Sequence, residues 1–272
     1  MAPIKSFIRW AGGKSWLVPY VTELVGKIEY NDYYEPFMGG ASIFFSLNIP
    51  KKGCLSDINA ELVNTFCAVR DNPEKVIGYL KEFELTEESY YKIRDSEPKG
   101  KYQKAARFLY LNANSFNGLY RVNKDGKYNV PYGHKSVMVN YDRLLNVSKK
   151  LVGMEIVCQD FYHITAKLKE KDLVFLDPPY TVSKEDTGFV AYNSTLFSLD
   201  DQRRLSVLID NINAVGAYYI LTNAAHETIF EIFKDKGSMV SLERNSLIGG
   251  RNSYRGKIKE YIFTNIPERS SI

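Results

Sequence analysis

Across 272 residues the chain carries three cysteines, Cys54, Cys67 and Cys158, and three histidines, His134, His163 and His226. The cysteines lie far apart with no C-x-x-C pair, which argues against a disulfide framework or a zinc site and fits a reducing cytoplasm. The histidines lack metal-ligand spacing, so no metal is expected. No run of about 18 apolar residues occurs, and the opening MAPIKSFIRWAGGK has no apolar core of the signal-peptide kind, so neither a membrane span nor export is expected. Repeats and low-complexity tracts are also missing. Charge of one sign is barely in excess: 36 Lys and Arg against 32 Asp and Glu leave +4, which permits a polyanionic partner only where the positive residues cluster.

What is present is an ordinary core-forming composition, 44% apolar, sufficient for one large domain or one domain with an insertion. The stretch YYEPF reads as a strand, glycines follow, SIFFSLN reads as a helix, GCLSDIN as a strand and AELVNTFCAVRDN as a helix, a β-α-β-α alternation. From Pro73 the strands give way to charged helical segments, PEKVIGYLKEFE, TEESYYKIRDS and KYQKAARFLYLNAN. Then comes LYRVNKDGKYNVPYG, where Asp125-Gly126 between two strand-like arms signals a hairpin. Arg121, Lys124, Lys127 and Lys135 gather there. The alternation resumes with MEIVCQ, a helical DFYHITAKL and the apolar LVFL, and closes with the strand IKEYIFTN. The expected organisation is an α/β sheet domain over residues 1–72 and 154–272, interrupted by a mainly helical segment over 73–153 with a β-hairpin near 119–131.

The chemistry is concentrated at strand ends. Leu173 to Leu176 is apolar without alternation, as in a strand covered on both faces. Pro178 and Pro179 then stop the ladder, because they lack donors and restrict the residue before each. Asp177 and Tyr180 therefore stand where open α/β sheets bind ligands, beyond the carboxyl ends of the strands; alone, the motif would also suit a rigid turn. Gly39 and Gly40 follow another strand, and Asp57 ends the next one, an arrangement that favours an adenosine-containing cofactor. RWAGGK offers Lys14 to a carboxylate or phosphate, but GGKS without the rest of the P-loop pattern argues against nucleotide hydrolysis.

Taken in order, RWAGGK, EPFMGGAS, SDIN, LYLNANSFNGLYRVNKDGKYNVPYG and DPPY resemble the Dam-type DNA adenine methyltransferases, the alpha-ordered group of AdoMet-dependent enzymes. The resemblance runs from Phe7 to about Asn265. It implies a Rossmann-like AdoMet-dependent methyltransferase sheet domain with 73–153 as target-recognition domain. It implies that Trp10, Ala11, Gly12 and Lys14, the loop Glu35, Pro36, Phe37, Gly39, Gly40, Ala41 and Ser42, and also Asp57, Ile58, Asp160, Phe161 and Asp177 bind AdoMet. Lys14 would take the methionine carboxylate, Asp57 the ribose, and Asp160 and Phe161 the adenine. Ala41 stands where the family commonly has a glycine.

The catalytic wall implied is Asp177, Pro178, Pro179 and Tyr180. Asp177 and the Pro178 carbonyl would accept the two amino protons of a flipped adenine, and Tyr180 would stack on the base. Double-stranded DNA would be met by Arg9, Asn117, Leu119, Arg121, Asn123, Lys127, Asn129, Pro131, His134 and Lys135, with Tyr192 and Arg251 from two later loops. Those loops read equally as a polar connection and a solvated hairpin tip. GATC is the family's best-known site, and His134 and Lys135 depart from its usual pair at the outer base. The same chemistry on RNA, and a DNA-binding regulator that has lost catalysis, are the alternatives. A cognate restriction endonuclease is a possible partner; oligomeric state is not legible.

Overall fold

The computed structural model describes residues 4–49, 52–181, 197–245 and 257–267. Its chain divides into two compact units, Met1–Val18 with Met38–Gln159, and Pro19–Phe37 with Asp160–Ile272. The fold is mixed α/β. Seven strands among the described residues follow the order β3 (Glu155–Cys158), β2 (Gly53–Asp57), β1 (Tyr33–Glu35), β4 (Leu173–Leu176), β5 (Tyr218–Ala224), β7 (Lys257–Thr264) and β6 (Ser238–Asn245), consistent with a Rossmann-like methyltransferase sheet.

In the second unit, β1 (Tyr33–Glu35) runs parallel to β4 (Leu173–Leu176), and β4 parallel to β5 (Tyr218–Ala224). β7 (Lys257–Thr264) pairs antiparallel with both β5 and β6 (Ser238–Asn245). All four β4 side chains are buried, as the unbroken apolar run requires. Helix α1 (Val18–Val25) precedes β1. Helix α8 (Leu199–Ala214) begins with a capping box in which Ser198 and Asp201 satisfy each other's backbone donors. It buries Leu205, Leu208, Ile209 and Ile212, the one-sided spacing of a core-facing helix. Helix α9 (Glu227–Phe233) contributes the buried Ile229 and Phe233.

In the first unit β2 (Gly53–Asp57) runs parallel to β3 (Glu155–Cys158). Helix α2 (Ser42–Ser46) is followed by α3 (Ala60–Asp71), α4 (Pro73–Lys81), α5 (Glu87–Asp95), α6 (Lys101–Asn114) and α7 (Tyr141–Leu151). Four of these starts are written in the sequence. Asn59, Asn72, Thr86 and Asn140 each accept a backbone N–H three residues on, and Pro73 opens α4 where no donor is needed.

Two local expectations are corrected. The DFYHITAKL segment forms a 3-10 turn over Phe161–Ala166, with Asp160 accepting from Tyr162 N and Thr165 bonding back to the Tyr162 carbonyl. These short side-chain bonds compete with α-helical pairing. The arms of the hairpin hold isolated bridges, Val122 with Tyr128 and Ser115 with Tyr132. Asn123 Oδ1 captures the N–H groups of Asp125 and Lys127. Gly126, at φ +74°, takes the left-handed position after a turn closed by its N–H to the Asn123 carbonyl, while Asp125 keeps a negative φ. The pair thus forms a turn with a glycine bulge. Strand β6 forms over a stretch to which the sequence analysis assigned no element. No helix among the described residues is long and apolar enough to cross a membrane.

Candidate active site

The strand order reverses direction between β1 and β4, and at such a switch point an open α/β sheet binds its ligand. β1 ends in Glu35, which is buried and accepts the Tyr33 hydroxyl at 2.7 Å. Burial, and then that carboxylate, push the Tyr33 phenol far above its ordinary pKa. β4 ends in Asp177. Its Oδ1 accepts the hydroxyl of Thr222, a wholly buried β5 residue, at 2.7 Å. Pro178 is buried, and the Tyr180 hydroxyl donates to Glu260 Oε2 at 2.5 Å. Glu260 also accepts from Arg244 Nε. Burial first, then the Glu260 and Asp177 charges, hold the Tyr180 phenol protonated far above its usual range.

In the same unit Phe37 stacks on Phe161 with centroids 5.2 Å apart and meets Phe197 edge-on. Asp160 caps the turn that carries Phe161, and Arg204 bonds its Oδ1 at 2.8 Å. The Arg204 guanidinium lies 4.9 Å from the centre of the Phe161 ring.

The first unit holds the other cofactor candidates. Asp57 accepts Gly39 N on Oδ2 at 3.1 Å and Asn59 N on Oδ1 at 3.0 Å. Each carboxylate oxygen so engaged keeps a second lone pair. Burial raises the Asp57 pKa, while the N–H groups of Asn59 and Gly39 pull it down. Gly39 has φ +42°, and a Cβ there would meet Trp10 at 2.7 Å, so no side chain fits. Trp10 in turn stacks on Tyr120 at 5.5 Å. Lys14 is 3% exposed; its N–H donates to Ser42 Oγ and its ammonium to the Gly12 carbonyl. Ala11 and Gly12 are exposed beside it, Gly40 is half-buried, and Ile58 is 66% exposed. Gln159 donates its backbone N–H to the Asp57 carbonyl, and its Nε2 is buried without a partner among the described residues.

Also in this unit, the hairpin presents Asn117, Leu119, Arg121, Asn123, Lys127, Pro131, His134 and Lys135 to solvent, as Arg9 is presented nearby in the chain fold. Buried amides hold that surface. Asn112 accepts Arg9 N and donates to the Arg9 and Gly118 carbonyls. Asn114 pairs with both backbone groups of Val137. Arg121 reaches across the hairpin to half-buried Asn129, Nε to Oδ1 at 2.7 Å. Asn117 and His134 are both left-handed, at φ 55°. Tyr192 and Arg251 lie outside the described residues.

The family model for the D12 class N6 adenine-specific DNA methyltransferases matches residues 10–247. This chain belongs to that family. The adenine-specific DNA methyltransferase is 34% identical to the Type II methyltransferase M1.LlaDCHI of Lactococcus lactis subsp. cremoris, over 96% of this chain and 95% of that one. It is 34% identical to the Type II methyltransferase M.MjaIII of Methanocaldococcus jannaschii, over 84% and 86%. A DNA adenine methylase of Haemophilus influenzae shares 32% identity over 95% of this chain and 92% of its own.

Four residues of this methyltransferase escaped sequence reasoning although they hold the candidate groups: Thr222 on Asp177, Glu260 on Tyr180, Arg204 on Asp160 and Asn112 on Arg9. Thr222 and Glu260 lie in strands, and Arg204 and Asn112 in helices. The available signal was polar side chains set within largely apolar strand stretches, as in YYILTNA and IKEYIFT. Among the described residues no group of three or more His, Cys, Asp and Glu could hold a metal ion.

Proposed function

We propose that this methyltransferase uses AdoMet to methylate the exocyclic amino group of an adenine flipped out of duplex DNA, within GATC or a related short palindrome. The observation that carries the reading is Asp177, at the carboxyl end of β4 beside the switch point, with its carboxylate oriented by Thr222. An adenine amino group is a poor nucleophile because its lone pair is delocalised into the ring. Asp177 accepting one amino proton and the Pro178 carbonyl the other would localise that pair and stabilise the positive charge that develops on nitrogen. The two prolines restrict reorganisation of these acceptors. Tyr180 would stack on the extruded base, whose removal from the duplex costs roughly a few kcal/mol.

The residues present suit AdoMet, which supplies an electrophilic methyl group when bound. Gly39 leaves backbone where a side chain would clash with Trp10, as close approach of a ligand to a loop requires. Asp57 retains lone pairs for ribose hydroxyls, Lys14 would face the methionine carboxylate, and Asp160 with Phe161 and the loop 35–42 would take the adenine end. Residues 73–153 would act as the target-recognition domain, with Arg9, Asn117, Leu119, Arg121 and Pro131 at base edges and Asn123, Lys127, Asn129, His134 and Lys135 along the hairpin. Tyr192 and Arg251 would add DNA contacts. Such a substrate puts the working enzyme with DNA in the cytoplasm, and the Type II names of two relatives support a partner restriction endonuclease.

The test is incubation of unmodified GATC duplex with enzyme and AdoMet, followed by a methylation-sensitive nuclease and mass analysis of the nucleosides. Protection together with N6-methyladenine is expected. Modified RNA beside untouched duplex DNA would establish the RNA reading, and bound but unmodified DNA the regulator.

A further inference from the structure

We propose that Glu260, held by Arg244, is a positioning residue that fixes the plane of the Tyr180 ring by gripping its hydroxyl. The inference rests on the proposed stacking of Tyr180 on an extruded adenine, and concerns a residue beyond the span 10–247 matched by the family model.

Glu260 is 0% exposed. A charged carboxylate in such a place is costly, and an apolar side chain of similar size would be tolerated as well or better. Its two oxygens divide their work: Oε1 takes Arg244 Nε and Oε2 takes the Tyr180 hydroxyl at 2.5 Å. The sheet register brings these groups to one face. Glu260 pairs with Ala224 and Thr222 with Ile262 on the β5 side; Glu260 pairs with Leu242 and Arg244 with Ile258 on the β6 side. Positions two apart share a face, so Thr222, Glu260 and Arg244 stand on the same side of the sheet. Thr222 holds Asp177, and Glu260 holds Tyr180.

The ring needs such a hold. Pro178 and Pro179 restrict the backbone at this turn, yet no proline sets the side-chain torsions of the tyrosine that follows. A stacking platform works only when its plane is set beforehand by supporting contacts. Anchoring the ring at its far end supplies that, and it also commits the hydroxyl to Glu260.

The variants that test this are Tyr180→Phe, Glu260→Ala, Glu260→Gln and the double variant Tyr180→Phe/Glu260→Ala. Each is measured by single-turnover methylation of a GATC duplex, by AdoMet calorimetry, and by the emission of 2-aminopurine placed at the target adenine. Tyr180→Phe and Glu260→Ala should each slow transfer about five- to twentyfold with AdoMet affinity within about twofold, and the double variant should be no slower than the slower single one. The 2-aminopurine emission should shift alike in both singles, and Glu260→Gln, which keeps an acceptor, should restore most of the rate. If Glu260→Ala does not fold, Tyr180→Phe and Glu260→Gln decide. Tyr180→Phe at the wild-type rate and emission, or losses that multiply in the double variant, would overturn the inference alone. Wild-type enzyme that modifies no duplex adenine would overturn the functional reading and this inference with it.

Discussion

Thr222 Oγ1 donates to Asp177 Oδ1 at 2.7 Å, across 45 residues of chain, from the middle of β5 to the end of β4. The bond fixes which way the carboxylate faces. Replacing Thr222 with valine keeps the shape and removes the donor. Thr222→Val should therefore slow single-turnover methyl transfer roughly tenfold, the order expected for losing one hydrogen bond to a charged group. Asp177→Ala should abolish transfer while AdoMet affinity stays within about tenfold. Rapid-quench kinetics and calorimetry separate the two effects, and a fast Asp177→Ala enzyme would remove this residue from the chemistry.

The loop before α2 carries its own prediction. Gly39→Ala places a methyl 2.7 Å from the Trp10 ring at a left-handed φ, so it should weaken AdoMet binding and cost on the order of 1–3 kcal/mol of stability. Ala41 is the opposite case, an alanine already at φ 48° where the family commonly has glycine. Ala41→Gly should be neutral or stabilise by up to about 1 kcal/mol, since left-handed strain for a non-glycine residue costs about 1–2 kcal/mol and extra chain entropy returns part of the gain. Urea denaturation of the two variants gives the opposite signs directly.

Burial raises the Asp57 pKa. Ribose hydroxyls are best accepted by the ionised carboxylate, so AdoMet affinity should be full at higher pH. It should fall on acidification through the raised Asp57 pKa, at higher pH than for a carboxylate left in water. For folding the sign is opposite. An acid whose pKa is raised by the fold stabilises the folded state while protonated, and that contribution is lost as pH rises through the folded value. Asp57→Asn should bind AdoMet weakly and with a flatter pH profile; titration calorimetry across pH 4 to 8, roughly bracketing that range, reads both. An unchanged profile would remove Asp57 from the ribose site.

Arg121 is set against Asn129 before any DNA arrives. Arg121→Ala should relax discrimination at one guanine by about 1 to 3 kcal/mol, and Asn129→Ala should reproduce part of that loss by freeing the guanidinium. Competition between duplexes altered at single positions measures it. Uniform weakening on every sequence would mean that Arg121 touches only phosphate.

The local punctuation of this fold was legible in its sequence. The apolar strand before Asp177, the glycines after β1 and the turn at Gly126 all rest on interactions within a few residues of chain. Even the glycine loop, the acid that ends β2 and Asp-Pro-Pro-Tyr could be placed at strand ends on that basis. Beyond that reach the sequence was silent. It did not disclose that Thr222 would hold Asp177, that Glu260 would hold Tyr180 from 80 residues away, or that a polar stretch would become β6. A side chain's partner across a sheet depends on strand order and register, and those are chosen by how all the strands bury their apolar faces together. The identity of the candidate groups was therefore fixed locally, while their orientation was decided only when the strands of the sheet came together around them.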